Sequence, residues 1–235
     1  MGEWLQELTG LVLPVDCAGC GAPRVVLCAG CRGALTGLPP RRVRPVNPVP
    51  GVPVVHAAAW YADEVRAVLI AHKERGATGL ARVLGRALAV AVRAAMTERD
   101  CPLLLVPVPS SRRAVAARGH DPVRRMAREA AGELRRTGRA ARVLPVLRQR
   151  RVVADQSGLG ARARRENLAG ALETVPGARR LLHGGGVVLV DDLMTTGASL
   201  AEAARATGAE GVVAGGAAVV AATANTTASS ARPAR

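Results

Sequence analysis

The stretch Val187-Val188-Leu189-Val190-Asp191-Asp192-Leu193-Met194-Thr195-Thr196-Gly197-Ala198-Ser199 decides how this chain is read. Its first four residues form a short apolar run, which predicts a strand buried on both faces of a sheet. Two carboxylates follow at the carboxyl end, then a hydroxyl-rich turn, then a helix from about Ala198 to Thr207 closed by Gly208. Backbone N–H groups at a helix N-terminus hold a phosphate, the helix dipole adds favourable charge, and the hydroxyls of Thr195, Thr196 and Ser199 extend the cradle. Gly197 lets the backbone approach closely. Asp191 and Asp192, expected as exposed carboxylates, are suited to accept hydrogen bonds from vicinal sugar hydroxyls beside that phosphate. These features together describe a ribose 5-phosphate site. Two other readings fit the same residues: a helix-capping surface pair, and magnesium ligation completed by phosphate and water.

Working outward, the same alternation of strands and helices recurs. Leu80, Val83, Leu84, Ala87, Leu88, Ala91, Val92 and Ala95 repeat at helical spacing, and Leu103 to Val106 reads as a buried strand ended by Pro107. Asp121-Pro122 starts a helix whose apolar face is Val123, Met126, Ala127, Ala130, Ala131 and Leu134, with Gly138 as its end. Strands are also predicted near Val143 to Leu147 and from Val212 to Ala222. Strands apolar on both faces, alternating with helices, predict an α/β fold with a parallel sheet covered by helices. The polar stretch from Arg148 to Asn167 shows no clean period and is expected to be a functional or solvated loop.

Length and composition set the limits. A chain of 235 residues, 49% apolar and 22% charged, has room for one full domain and a small accessory unit around a real core. Only Trp4, Trp60 and Tyr61 are aromatic, so stacking platforms for single-stranded nucleic acid are nearly excluded. The formal charge of +15 favours anionic partners. No Gly-x-x-x-x-Gly-Lys-Ser/Thr occurs, which excludes a P-loop nucleotidase, and His183-Gly-Gly-Gly186 has no Gly-x-Ser-x-Gly to accompany it. The N-terminus has no Lys or Arg before Arg24, unlike a secretory signal, and no apolar run reaches the roughly 20 residues of a membrane span. A cytoplasmic protein is expected.

Four of the five cysteines cluster as Cys17-Ala-Gly-Cys20 and Cys28-Ala-Gly-Cys31. Two Cys-x-x-Cys pairs match a four-thiolate zinc site, with Gly19 and Gly30 helping the turns close. Disulfides are disfavoured in a cytoplasmic protein, a redox pair needs no second copy, and an iron–sulfur cluster has the same spacing. A closed four-thiolate zinc site is structural, since no position is left for water. Cys101 reads as a buried small hydrophobe at a strand start. The expected organisation is a four-cysteine zinc element over residues 1–37, a Pro-rich linker over 38–55, the α/β domain over 56–222 and a disordered tail over 223–235.

The segment from Asp191 to Gly197 resembles the phosphoribosyl pyrophosphate signature of type I phosphoribosyltransferases. The rest of the chain resembles one branch, the ComF family of phosphoribosyltransferase-like proteins, which is linked to DNA uptake in competent bacteria. The likeness is carried by the four-cysteine element, by Tyr61 with Ile70-Ala-His-Lys73-Glu-Arg-Gly76, and by Val106-Pro-Val-Pro109-Ser-Ser-Arg-Arg113 with Arg118-Gly119-His120-Asp121. Gln156-Ser-Gly-Leu159 with Arg164-Arg-Glu-Asn167 completes it. His120, Asp121 and Ala163 depart from the family pattern, which has an aromatic residue, Asn and an acidic residue there.

The resemblance implies a type I phosphoribosyltransferase-like parallel sheet flanked by helices, with the zinc element at the N-terminus. It implies phosphoribosyl pyrophosphate as ligand, with magnesium, and Asp191 and Asp192 as the carboxylates of the reaction. Thr195, Thr196, Gly197, Ala198 and Ser199 would form the phosphate loop, Lys73, Arg118 and Arg164 would lie near the anionic ligand, and Arg148 to Asn167 would include a hood over the site. Arg112 and Arg113 are further candidates for the pyrophosphate. Two functions fit: a phosphoribosyl transfer enzyme, or a non-catalytic ligand sensor that engages DNA or a protein of the uptake machinery.

Overall fold

Leu103, Leu105, Val188 and Val190 contribute to one hydrophobic cluster, while Leu104, Val106, Val187 and Leu189 contribute to another. Side chains alternate across a strand, so these two runs lie in a sheet covered on both faces. A computed structural model describes residues 16–47, 49–96, 101–151, 167–224 and 226–228. The chain order is α1 (Ala29–Thr36), β1 (Arg41–Pro45), β2 (Val55–Trp60), α2 (Asp63–Glu74), a short 3-10 turn at Thr78–Leu80 and α3 (Ala81–Ala95). Next come β3 (Leu103–Pro107), α4 (Arg112–Arg118), α5 (Pro122–Arg136), β4 (Ala141–Val143) and β5 (Leu147–Gln149). The last part holds β6 (Leu172–Thr174), α6 (Ala178–Leu182), β7 (Gly186–Met194), α7 (Ala198–Gly208), β8 (Gly216–Ala222) and β9 (Thr226–Ala228).

Among the described residues, seven strands form one sheet in the order β4-β3-β7-β8-β2-β1-β9. Neighbours from β4 to β2 are parallel, and β1 runs antiparallel to both β2 and β9. The fold is therefore mixed α/β with a mostly parallel sheet. One face is covered by α1, α2, α3 and α5, through Leu35, Val68, Leu84, Leu88, Met126 and Leu134. The other is covered by α6 and α7 and by the β5–β6 ribbon, through Leu182, Leu200, Ala203 and Leu172. No described helix is long and apolar enough to cross a membrane.

The helix starting at Asp121 follows its sequence closely. The Asp121 carboxylate accepts a hydrogen bond from the Arg124 N–H at 3.0 Å, Pro122 sits in the first turn, and the buried positions include all six of the expected apolar face. Other expectations differ. Residues 41–45, within the span read as a linker, form β1, because proline fixes an extended backbone that is tolerated where the sheet turns antiparallel near its edge. Residues 226–228, within the span read as a tail, pair with β1 as β9. The single strand expected near Val143 to Leu147 is two, β4 in the large sheet and β5 in the ribbon, parted at Leu144-Pro145-Val146.

The cysteine element is not a separate unit in its packing. Cys17, Leu27, Cys31 and Leu35 are buried in the same cluster as α2, α3 and α5. Cys101 is half-buried and lies two residues before β3.

Candidate functional site

β7 continues past its apolar run to Met194, so Asp191 and Asp192 lie inside the strand and not beyond its end. β8 flanks this part through Val219 to Ala222, and on the other side the Val108 N–H reaches the Val190 carbonyl. Both aspartates are consequently buried, at 9% and 7% exposure, which corrects the expectation of exposed carboxylates. They are also no helix caps, since the residue before α7 is Gly197.

Asp192 is paired. Lys73, in the last turn of α2, places its ammonium 2.6 Å from Asp192 Oδ2. Burial opposes ionisation of Asp192, but the charge and hydrogen bond of Lys73 together outweigh it and hold the carboxyl below its usual range. Asp191 is pushed the other way, well above the usual range, by burial first and by the neighbouring Asp192 charge second, with Lys73 working against both. One Asp191 oxygen accepts the Asp192 backbone N–H at 2.8 Å. Lys73 is itself disfavoured by burial, yet the two carboxylates raise its pKa overall. Within the pair, Asp192 is thus the carboxyl that favours its ionised form beside the ammonium, and Asp191 the one that favours its protonated form.

The turn from Thr195 to Gly197 joins β7 to α7. Thr195, Thr196 and Ser199 are half-buried, and the Ala198 N–H points at Thr196 Oγ1 at 3.4 Å. Gly197 has φ +77°, where a side chain is strained, and a Cβ there would lie 3.0 Å from Val52 Cγ2 and 3.4 Å from Pro45 Cγ. The span expected to be a linker therefore packs against the turn between β7 and α7. A cavity of about 610 Å³ opens along the flank of α7, lined by Ala198, Ala201, Glu202, Leu168 and Pro50 among others. Lys73, Asp191 and Asp192 do not line it.

Arg118 closes α4 and forms a two-pronged ion pair with Glu74, from Nε and Nη2, each at 2.8 Å. Its guanidinium is committed to the carboxylate of the residue next to Lys73. Glu74 escaped the sequence reading although it adjoins Lys73 in the quoted motif. An acidic residue next to the one lysine was the available signal. Arg112 and Arg113 are exposed on α4. Arg164 lies outside the described residues, as do residues 152–166, most of the stretch from Arg148 to Asn167 in which a hood was expected.

The four cysteines form a second centre. The sulfurs of Cys17, Cys20, Cys28 and Cys31 all lie within 4.8 Å of one another, and none is in a disulfide. Zinc–sulfur bonds of about 2.3 Å place tetrahedral sulfurs about 3.8 Å apart; the Cys20–Cys28 distance is 3.6 Å. The donor set therefore fits a structural zinc ion. Cys28 N–H donates to the Cys17 sulfur at 3.3 Å and Cys31 N–H to the Cys28 sulfur at 3.4 Å, bonds that favour thiolate. Burial raises the Cys17 thiol, but backbone N–H donors led by Cys28 outweigh it and bring it down to about 6. Burial and the neighbouring sulfurs push the Cys31 thiol up. Gly19 is needed for space: a Cβ there would lie 2.6 Å from the Cys31 sulfur. Compared with known proteins, the chain matches no family model and no curated protein.

Proposed function

We propose that this is a cytoplasmic phosphoribosyltransferase-like protein of the ComF type that binds phosphoribosyl pyrophosphate and transfers or hydrolyses its phosphoribosyl group. The observation that carries the reading is the buried Asp191–Asp192 pair, met by Lys73, immediately before a hydroxyl-lined turn and the N-terminus of α7. In this reading the carboxylates take the ribose hydroxyls and the turn takes the 5-phosphate through α7 N–H groups and the hydroxyls of Thr195, Thr196 and Ser199. Magnesium would travel on the pyrophosphate, since it draws most of its shell from phosphate and water, and Lys73 already meets Asp192. When bound, the metal neutralises charge on the departing pyrophosphate. Arg118 reaches that charge only by exchanging Glu74 for the ligand.

Isothermal titration with phosphoribosyl pyrophosphate, with and without magnesium, followed by assay of released pyrophosphate, tests the proposal. Saturable binding with release supports an enzyme. Absence of binding in both buffers overturns the site.

A second reading, a ligand sensor that also engages nucleic acid, is favoured by α5. Arg124, Arg125, Arg128, Arg135 and Arg136 are all exposed on this one helix. Here binding occurs without release.

A further inference from the structure

Lys73 is the only lysine among 33 basic residues of the chain. The turn of α2 that carries it is held from several sides. Glu74, the next residue, is gripped by Arg118. The ring of His120 lies 3.1 Å from the His72 carbonyl through Nε2, and the His72 ring sits between the carbonyls of Ala77 and Pro122 at 3.3 and 3.4 Å. The last turn of α2 is thus tied to the segment from Arg118 to Pro122, and its ammonium is held against a carboxylate from a residue only 7% exposed.

An ionised carboxylate inside a buried strand, as Asp192 is here, needs a cation. Oxygen donors of this kind suit a hard divalent metal, yet the ammonium of Lys73 already meets Asp192, through one oxygen, Oδ2. The identity of the cation matters for a sugar. A guanidinium is a planar fork that engages both carboxylate oxygens, whereas an ammonium is a compact point charge. Lysine neutralises Asp192 while leaving its second oxygen outside the ion pair.

We propose that Lys73 is the built-in cation of the acidic pair, so that the pair holds a ribose diol without any divalent metal and the need for metal is confined to the pyrophosphate end of the ligand. This inference rests on the ribose-phosphate reading of the site. It assigns a ligand class as well: pentose 5-phosphates that lack pyrophosphate bind metal-free. Lys73 acts through Asp192 and is a positioning residue.

The experiment titrates ribose 5-phosphate into the full chain in EDTA and in magnesium, for the wild type, Lys73→Met and Lys73→Arg, with a melting curve for each. The wild type is expected to bind with the same affinity, within about twofold, in both buffers. Lys73→Met, which keeps the stem and removes the charge, is expected to lose tenfold or more in EDTA and to recover most of it in magnesium. Lys73→Arg is expected to weaken binding in both buffers, because its fork covers both Asp192 oxygens. A wild type that binds only with magnesium overturns the inference and leaves the site reading standing. An equal loss for Lys73→Met in both buffers also overturns it, since that marks a purely structural role. Should Lys73→Met fail to fold, Lys73→Arg decides, and wild-type affinity for it in EDTA refutes the one-oxygen argument. No binding by the wild type in either buffer removes both the inference and the site on which it rests.

Discussion

Lys73 on α2 and Asp192 on β7 are 119 positions apart in sequence, and their charged groups meet at 2.6 Å. The contact joins the helix layer on one face of the sheet to the carboxyl end of a central strand, just before the turn into α7. It also divides the acidic pair into unequal members, and that inequality is measurable.

Asp192→Asn and Asp191→Asn should act differently on stability while both weaken ligand binding. Losing a charged hydrogen bond from Asp192 to a ribose hydroxyl costs about 1.5 to 3 kcal/mol, or roughly tenfold to over a hundredfold in affinity, whereas a bond from Asp191, which favours its uncharged form, is worth about 0.5 to 1.5 kcal/mol. Asp192→Asn strands the Lys73 charge. The ~3 to 5 kcal/mol typical of a broken buried pair is an upper bound here, and about 1 to 2 kcal/mol is expected, because the Lys73 side chain is 36% exposed and its head can turn to water.

Asp191 has the opposite sign. Its carboxyl titrates well above the usual range in the folded chain, mainly through burial. The folded state therefore holds a proton that the unfolded state has released, and stability falls as pH rises above the ordinary aspartate value. Asp191→Asn removes that penalty, so its melting temperature at neutral pH should exceed the wild type's. A lower value would show the carboxylate to be ionised and stabilising.

The purified protein should carry about one zinc per chain. Metal analysis checks this, and visible charge-transfer absorption would indicate iron instead. Stripping the metal should destabilise the whole fold, since Cys17 and Cys31 are buried in the core shared with α2 and α3. Proton competition should weaken retention as pH falls through about 6, where the metal-free Cys17 thiol takes up its proton.

His72 is held neutral mainly by burial, and its pKa lies below the ordinary value. The unfolded chain takes up the proton first as pH falls through about 6.5, so this residue's contribution is complete above that value and is lost below it. His56 shifts the same way, through burial and then the nearby Arg42 charge. Melting curves between pH 7.5 and 5.5 should show a steeper loss for the wild type than for His72→Asn. Parallel slopes would contradict the assignment.

Any affinity for DNA should fall steeply with salt and depend little on sequence, because it can come only from arginine contacts to phosphates. Replacing Arg124, Arg128 and Arg135 together by Ala should flatten the dependence of log affinity on log salt by about 2 to 3 units. A flat salt response in the wild type, or a marked sequence preference, counts against this surface.

Local signals carried much of the architecture. The helix from Pro122, the helix ending at Ala95, the strand at Leu103 and the segment from Val187 through α7 each show periodicity or capping within a dozen residues, which a sequence displays directly. The edge of the sheet does not. β1 and β9 are short, and each is stabilised by a partner far along the chain; proline density at Leu38 to Pro53 hid the first of them. The site divides in the same way. The carboxylates and the loop were legible because they are contiguous, whereas the burial of Asp191 and Asp192, the Lys73 ion pair and the commitment of Arg118 to Glu74 arise only when distant elements meet.

The position of β8 governs the order in which the molecule can be completed during synthesis. β2, near the start of the described chain, pairs on one side with β8, whose residues are 216–222, and β1 needs β9 at 226–228. β1 and β2 can pair with each other early, but residues up to 222 and 228 must be made before each finds its second neighbour. Until then the open edge of β2 and the part of α3 that packs on β8 wait uncovered, which is where a chaperone would be expected to hold the nascent protein.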